Sequence, residues 1–125
     1  MKYFAYILFF GILFTACGDD DEDTLLDKQR RLGELQTNIE NLIADKSCNG
    51  AGDCASMAFG DKPCGGPRSY LIYAPSNVDV AQLTTLVEEY NMLDEEINIL
   101  TQALSDCAIV GPPILGCTDD VCAAL

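Results

Sequence analysis

Six cysteines fall in the stretch from Cys48 to Cys122 of this 125-residue chain, and no other feature restricts its fold as much. Cys48, Cys54, Cys64, Cys107, Cys117 and Cys122 are either an even set of disulfide partners or a set of metal-binding thiols. Spacing and composition both speak against the metal: no C-x-x-C pair occurs, and the chain has no histidine to complete a mixed site. In an oxidising compartment six such cysteines form three disulfides, with fifteen connectivities open. A domain of about a hundred residues sits where an apolar core alone is marginal, so such staples carry much of its stability.

The compartment is legible at the start of the chain. Lys2 is followed by the apolar run Phe4-Ala5-Tyr6-Ile7-Leu8-Phe9-Phe10-Gly11-Ile12-Leu13-Phe14, too short to span a bilayer and shaped like a secretory signal. The run ends in Leu13-Phe14-Thr15-Ala16-Cys17-Gly18, small residues leading directly into a seventh cysteine. This resembles the lipobox of bacterial lipoprotein precursors, with Phe14 where that family more often has leucine. The resemblance covers the signal region only. It implies cleavage before Cys17, diacylation of its thiol and acylation of the freed amine, so that the domain is tethered to a membrane without crossing it. Ordinary secretion with cleavage after Ala16 is the competing reading, and it gives the cysteine at that position no purpose.

Behind Cys17 runs Gly18-Asp19-Asp20-Asp21-Glu22-Asp23, a block of like charge that repels itself and reads as a solvated tether. Acids in this position also resemble the surface-export signal of lipoproteins in some Gram-negative groups. That implies an outer-membrane lipoprotein facing the cell surface, with the periplasmic face as the alternative. Three segments result: a signal peptide over 1–16, a lipidated acidic tether over 17–23 and one stapled domain over 24–125. Without residues 1–16 the chain keeps six basic against twenty acidic residues, a formal charge of −14. Such a surface repels polyanions and excludes nucleic acid as a partner.

Two segments carry helical periodicity. Leu25, Leu32, Leu35, Ile39 and Leu42 occupy the apolar positions of a seven-residue repeat, with Thr24 and Asp27 in capping-box form and Asp27 four residues before Arg31. Leu83, Leu86, Tyr90, Leu93, Ile97, Leu100 and Leu104 form a longer stripe stepping three and four. Pro75 precedes it, Ser76 and Asp79 are placed to cap it, and Pro112-Pro113 forbid its extension. At ~1.5 Å per residue the helices would be ~34 Å and ~39 Å long. Matched lengths and complementary stripes predict a coiled-coil-like antiparallel hairpin, and the fold class is accordingly mainly α.

About thirty residues separate the helices, too many for a simple turn. Met57-Ala58-Phe59 and Tyr70-Leu71-Ile72-Tyr73 read as short strands flanking a Gly- and Pro-rich turn, which predicts a small irregular or β-hairpin head capping one end of the helix pair. Cys48, Cys54 and Cys64 then begin at the head and Cys107 at the far end. Three cysteines cannot pair off among themselves, so at least one disulfide must join the two groups. Either the head folds down or the C-terminal tail runs back, and the tail, ~50 Å when extended at ~3.3 Å per residue, has the reach. The tail is expected to return.

The lack of histidine removes Ser-His-Asp and Cys-His catalysis and the usual zinc enzymes. Glu88-Glu89 and Asp94-Glu95-Glu96 sit mostly off the apolar stripe and read as a solvated helix face, not as a carboxylate pair across a cleft. No catalytic residue, cofactor or metal is expected. Lys62-Pro63-Cys64-Gly65-Gly66-Pro67-Arg68 is the most specific local feature of the domain. Two prolines, two glycines and a cysteine dictate a backbone path, and a rigid turn is the plain reading. The functional reading is a preorganised loop offering Lys62 and Arg68 to a protein partner beside Tyr70 and Tyr73, as disulfide-braced inhibitors offer a loop to a protease or lysozyme. The role expected is binding or structural, with inhibition of an extracellular hydrolase as the alternative.

Overall fold

The computed structural model describes residues 24–125; the signal segment, Cys17 and the acidic tether lie outside the described residues. Two α-helices and two two-stranded antiparallel sheets make up the domain, in the order α1 (Leu25–Leu42), β1 (Ala55–Phe59), β2 (Ser69–Tyr73), α2 (Val80–Thr101), β3 (Leu115–Thr118) and β4 (Val121–Ala124). Short 3-10 turns at Ala51–Asp53 and Pro75–Asn77 join them.

Local chemistry sets the helix boundaries. The Thr24 hydroxyl accepts from the Asp27 backbone N–H at 3.2 Å and donates to the Asp27 carboxylate at 2.7 Å, closing the N-terminus of α1. These hydrogen bonds from Thr24 hold the Asp27 carboxyl below its ordinary pKa. At α2 the cap is Asp79 itself, which accepts from the Gln82 N–H at 3.0 Å, while Ser76 belongs to the preceding 3-10 turn. The helix ends at Thr101 because Gln102 takes a left-handed conformation and the Ala103 N–H turns back to the Asn98 carbonyl at 3.0 Å. Leu104, expected on the buried stripe, therefore lies beyond the helix and is exposed, as is Leu100 one turn earlier.

The helices pair antiparallel, with Lys28 bonded to Glu96 at 2.9 Å and Arg31 to Glu89. Leu35, Ile39 and Ile43 of the first helix segment meet Leu83, Val87, Tyr90, Leu93 and Ile97 of α2, and Ile39 and Leu83 are fully buried. Asp27 takes Arg30 as its cation, leaving Arg31 to reach across the interface.

A mainly α description does not survive the third partner in this core. The register Ala55↔Tyr73, Met57↔Leu71 places Ala55, Met57, Phe59, Leu71 and Tyr73 on one face of the β1–β2 hairpin, and all five pack on the helix core. Phe59 stacks on Tyr90 with ring centroids 4.2 Å apart. The hairpin is thus not a head capping one end. It lies along the helices with its turn, residues 60–68, at the C-terminal end of α2, and the class is α+β. The physical reason is an apolar hairpin face with nowhere else to be buried, and a helix α2 broad enough to serve two partners.

The tail does return, and it returns as structure. Beyond Cys107 the chain climbs to the opposite end and forms β3–β4, paired Leu115↔Ala124 and Cys117↔Cys122. Asp119 and Asp120 both have positive φ, the two-residue turn that matches the twist of a hairpin. The Cys48 N–H donates to the Asp120 carbonyl at 3.0 Å and the Cys122 N–H to the Lys46 carbonyl at 2.9 Å, which ties this hairpin to the strand-like exit of α1. Cys48, Ala74 and Cys122 form a second, smaller core there.

All three disulfides join the early group to the late one: Cys48–Cys117, Cys54–Cys122 and Cys64–Cys107. Both ways of satisfying the parity argument are in use. The hairpin turn carries Cys64 down to Cys107, and the tail carries Cys117 and Cys122 up to Cys48 and Cys54.

Candidate functional site

The turn of the β1–β2 hairpin is held on two flanks, by α2 and by the segment that follows it. Gly60 opens it at φ 78°, and its N–H donates to the Asn91 side-chain carbonyl at 2.8 Å. A Cβ at Gly60 would stand 3.0 Å from the Arg68 side chain, so glycine is needed both for the conformation and for the Arg68 stem that crosses it. Inside the loop the Gly65 N–H donates to the Lys62 carbonyl at 2.7 Å and the Lys62 N–H to the Gly66 carbonyl at 2.9 Å.

Beneath the loop, α2 supplies a polar row. Asp94 is buried, and its Oδ2 accepts from the Asp61 N–H and from Arg68 Nε, each at 2.8 Å. Arg68 Nη2 also reaches Asn98 Oδ1 at 2.8 Å, and Asn98 Nδ2 donates to the Asp61 carbonyl at 2.8 Å. Hydrogen bonding to Asp94 holds the Arg68 guanidinium above its ordinary pKa. Burial, reinforced by the neighbouring Asp94 charge, raises the Tyr90 phenol. Every buried side-chain nitrogen and oxygen among the described residues has a partner, so this is a completed network.

The other flank is held by the segment after α2. Lys62 Nζ donates to Asp106 Oδ1 at 2.9 Å and to the Ala108 carbonyl at 2.6 Å, beside the Cys64–Cys107 bridge. These bonds from Lys62 pull the Asp106 carboxyl below its ordinary pKa. Shallow depressions of about 330 Å³ and about 440 Å³ flank the loop, the first bordered by Lys62, Pro63 and Asn98, the second by Pro67, Ile109 and the bridge.

The four residues singled out as partner-binding are therefore dispersed by the fold. Tyr73 is in the core. Tyr70, opposite Ala58 in the hairpin register, is on the outer face and half-buried. The Lys62 side chain keeps 12% of its surface and spends its charge on Asp106, while Arg68 keeps 43% and spends its charge on Asp94. The loop offers a partner its backbone at Cys64, Gly65 and Gly66, which are exposed, rather than free cations.

The acids of α2 also part company. Glu89 and Glu96 face α1 in ion pairs, Asp94 faces the loop, and Glu88 and Glu95 are exposed. Asp94, Asn91 and Asn98 are the site residues the seven-residue grid misses. A straight helix at 3.6 residues per turn puts Asp94 seven residues on from Val87 and between Tyr90 and Ile97, a signal that was present in the spacing.

The six described cysteines are all in bridges. The sulfurs of Cys48, Cys54 and Cys122 lie within 4.8 Å of one another because two disulfides stand side by side. In that state they carry no thiolate to offer a metal. No family model, curated protein or solved structure matches the chain. Its function rests on its own residues.

Proposed function

We propose that this chain is an envelope lipoprotein, anchored in the outer membrane by lipid on Cys17 and displaying at the cell surface a stapled α+β domain with a binding or structural role and no catalysis. The observation that carries this reading is the sequence Leu13-Phe14-Thr15-Ala16-Cys17-Gly18 after a short apolar run. Three disulfides linking distant parts of the chain fit an exported domain. Among the described residues no helix is long and apolar enough to cross a membrane. A non-catalytic role is favoured by the lack of histidine and by carboxylates that are dispersed or ion-paired.

Cys17→Ser tests the anchor. The expected result is an unprocessed or soluble chain in place of one that sediments with membranes, with the three disulfides intact because Cys17 is not among their partners. Deleting residues 19–23 tests the address: surface protease should lose access to the domain on intact cells, and unchanged access would count against surface export.

Inhibition of an extracellular hydrolase through residues 62–68 is the second reading. It is favoured by a loop preorganised on two flanks, which lowers the entropy cost of docking. Recovery of a secreted hydrolase in a pull-down, lost on shortening Gly65-Gly66, would support it.

A further inference from the structure

Two of the three bridges stand side by side. Cys48–Cys117 and Cys54–Cys122 meet where the exit of α1 lies against β4, and the sulfurs of Cys48, Cys54 and Cys122 are within 4.8 Å of one another. Backbone pairing brings them together. Ser47 forms an antiparallel bridge with Val121, so Cys48 falls opposite Asp120 and Cys122 opposite Lys46, and the two cysteines are diagonal neighbours on one face. On the other side of β4, Cys117 stands directly opposite Cys122. The Cys54 sulfur is 3.7 Å from the carbonyl of Gly116, the residue before Cys117. Cys64–Cys107 lies apart from this group, at the turn of the β1–β2 hairpin.

Burial divides these four cysteines differently from the way the bridges pair them. Cys48 and Cys122 keep 6% and 3% of their surface and form the small core with Ala74, whereas Cys54 and Cys117 border that core and are half-buried. Each bridge therefore joins a buried cysteine to a more accessible one, and a dissolved thiol enters at the accessible one.

Exchange proceeds by attack of a thiolate on one sulfur of a disulfide with expulsion of the other. A low-molecular-weight thiolate that attacks Cys117 forms a mixed disulfide there and expels the electron pair onto Cys48. Cys48, beside the neighbouring bridge, attacks Cys122 and expels Cys54 as the thiolate. Entry at Cys54 runs the mirror course: Cys122 is expelled, attacks Cys48 and releases Cys117. Both routes form the same new bridge, Cys48–Cys122. A second molecule of the thiol attacks the first in the mixed disulfide, leaves with it as an oxidised dimer, and the freed cysteine takes up a proton. Two small thiols are oxidised to one disulfide, and Cys54 and Cys117 are reduced.

Proximity favours the internal step, because the neighbouring bridge presents its sulfurs at a far higher effective concentration than a dissolved thiol can reach. Charge acts in the same direction. A thiolate on Cys48 or Cys122 stands among apolar groups, while one on Cys54 or Cys117 borders solvent. The new bridge still ties the exit of α1 to β4, so this end of the domain keeps a staple.

We infer that Cys48–Cys117 and Cys54–Cys122 form one thiol–disulfide exchange site, in which the buried Cys48 and Cys122 retain a bridge between them while Cys54 and Cys117 react with an external thiol. The inference goes beyond the binding or structural role proposed above and does not depend on lipid at Cys17.

The purified full-length chain is kept folded, any thiol already present is blocked with iodoacetamide, and reduced glutathione is added. New thiols are trapped with N-ethylmaleimide, and linkages are read by mass spectrometry of a non-reducing digest. A protease that cuts at aspartate separates all four cysteines, through Asp53 and Asp119-Asp120. The expected product carries N-ethylmaleimide on Cys54 and Cys117 and gains a Cys48–Cys122 linkage. Label on Cys48 with Cys117, or on Cys54 with Cys122, in place of that product would overturn the inference, as would resistance of both bridges to glutathione in the folded chain. Cys117→Ser tests the internal step with no thiol added: the odd sulfur should be found free on Cys54, with Cys48–Cys122 formed and Cys54–Cys122 lost. A free Cys48 beside an intact Cys54–Cys122 bridge would overturn it.

Discussion

Removing the Cys54–Cys122 bridge by Cys54→Ala with Cys122→Ala tests how the staples share their work. Taken alone, a bridge with a sequence separation of 68 would stabilise by ~4.4 kcal/mol through the entropy it removes from the unfolded chain. It does not act alone. Cys48–Cys117 already joins the same two segments, six residues before Cys54 and five before Cys122. The additional ring closed by Cys54–Cys122 is only about a dozen residues, which lowers the expected contribution to ~3 kcal/mol. The assay is urea unfolding under non-reducing conditions, where the double alanine variant should lose ~3 kcal/mol of a total of order 5–15 kcal/mol. Removing Cys48–Cys117 as well should bring the loss to ~6 kcal/mol, since only Cys64–Cys107 then closes the chain. A loss below ~1 kcal/mol for the first variant, or above ~5 kcal/mol, would refute the nested-ring reasoning.

Three further outcomes follow from the loop and its supports. Asp94→Ala strands the Arg68 guanidinium and the Asp61 N–H and should cost ~2–3 kcal/mol, reduced from the usual cost of breaking a buried pair because Arg68 is 43% exposed; in a cycle with Arg68→Ala in urea unfolding, an additive double variant would contradict the coupling. Gly60→Ala must accommodate φ 78° and the Arg68 stem, so a loss of ~1–2 kcal/mol is expected, and an unchanged urea midpoint would show that the turn relaxes freely. Asp27, Asp45 and Asp106 are held below the ordinary value of 3.8 by hydrogen bonds from Thr24, Ser47 and Lys62, so their contribution is complete above that value and is lost as pH falls through the lower folded values. Tyr90, raised above 10.0, gives the opposite limb: stability is retained below pH 10.0 and lost as the pH rises through the higher folded value. Urea midpoints across pH should therefore fall at both extremes, and a midpoint indifferent to acid below about pH 4 would contradict the carboxylate assignment.

Local order was written plainly in the residues. Thr24 with Asp27, Asp79 before Val80, and the alternation through Met57, Phe59, Leu71 and Tyr73 each act over a few residues, and the structure uses all of them. Parity among the cysteines added a long-range constraint that needed no coordinates. Three things escaped. A seven-residue grid treats α2 as half of a two-helix seam, whereas α2 packs against α1 on one side and the hairpin on the other, so Asp94 and Asn98 are inside and Leu100 and Leu104 are out. The β3–β4 hairpin has Thr118 and Val121 as its only β-branched residues, and the rest, Gly116, Cys117, Cys122, Ala123 and Ala124 around the Asp119-Asp120 turn, carry little strand signal and are held in place by bridges. The placement of the β1–β2 hairpin along the helices depended on where its apolar face found cover, which is a property of the assembled core. The same dependence separates Lys62 and Arg68 as sequence features from Lys62 and Arg68 as charges: the loop's motif was visible, and the acids that neutralise it came from α2 and the segment after it.

Mass spectrometry of the purified chain tests the account at its centre. The predicted result is an N-terminal peptide beginning at Cys17 and carrying a diacylglyceryl group, with Cys48–Cys117, Cys54–Cys122 and Cys64–Cys107 recovered from a non-reducing digest. An unmodified Cys17 in a chain cleaved elsewhere, or free thiols at the other six cysteines, would contradict it.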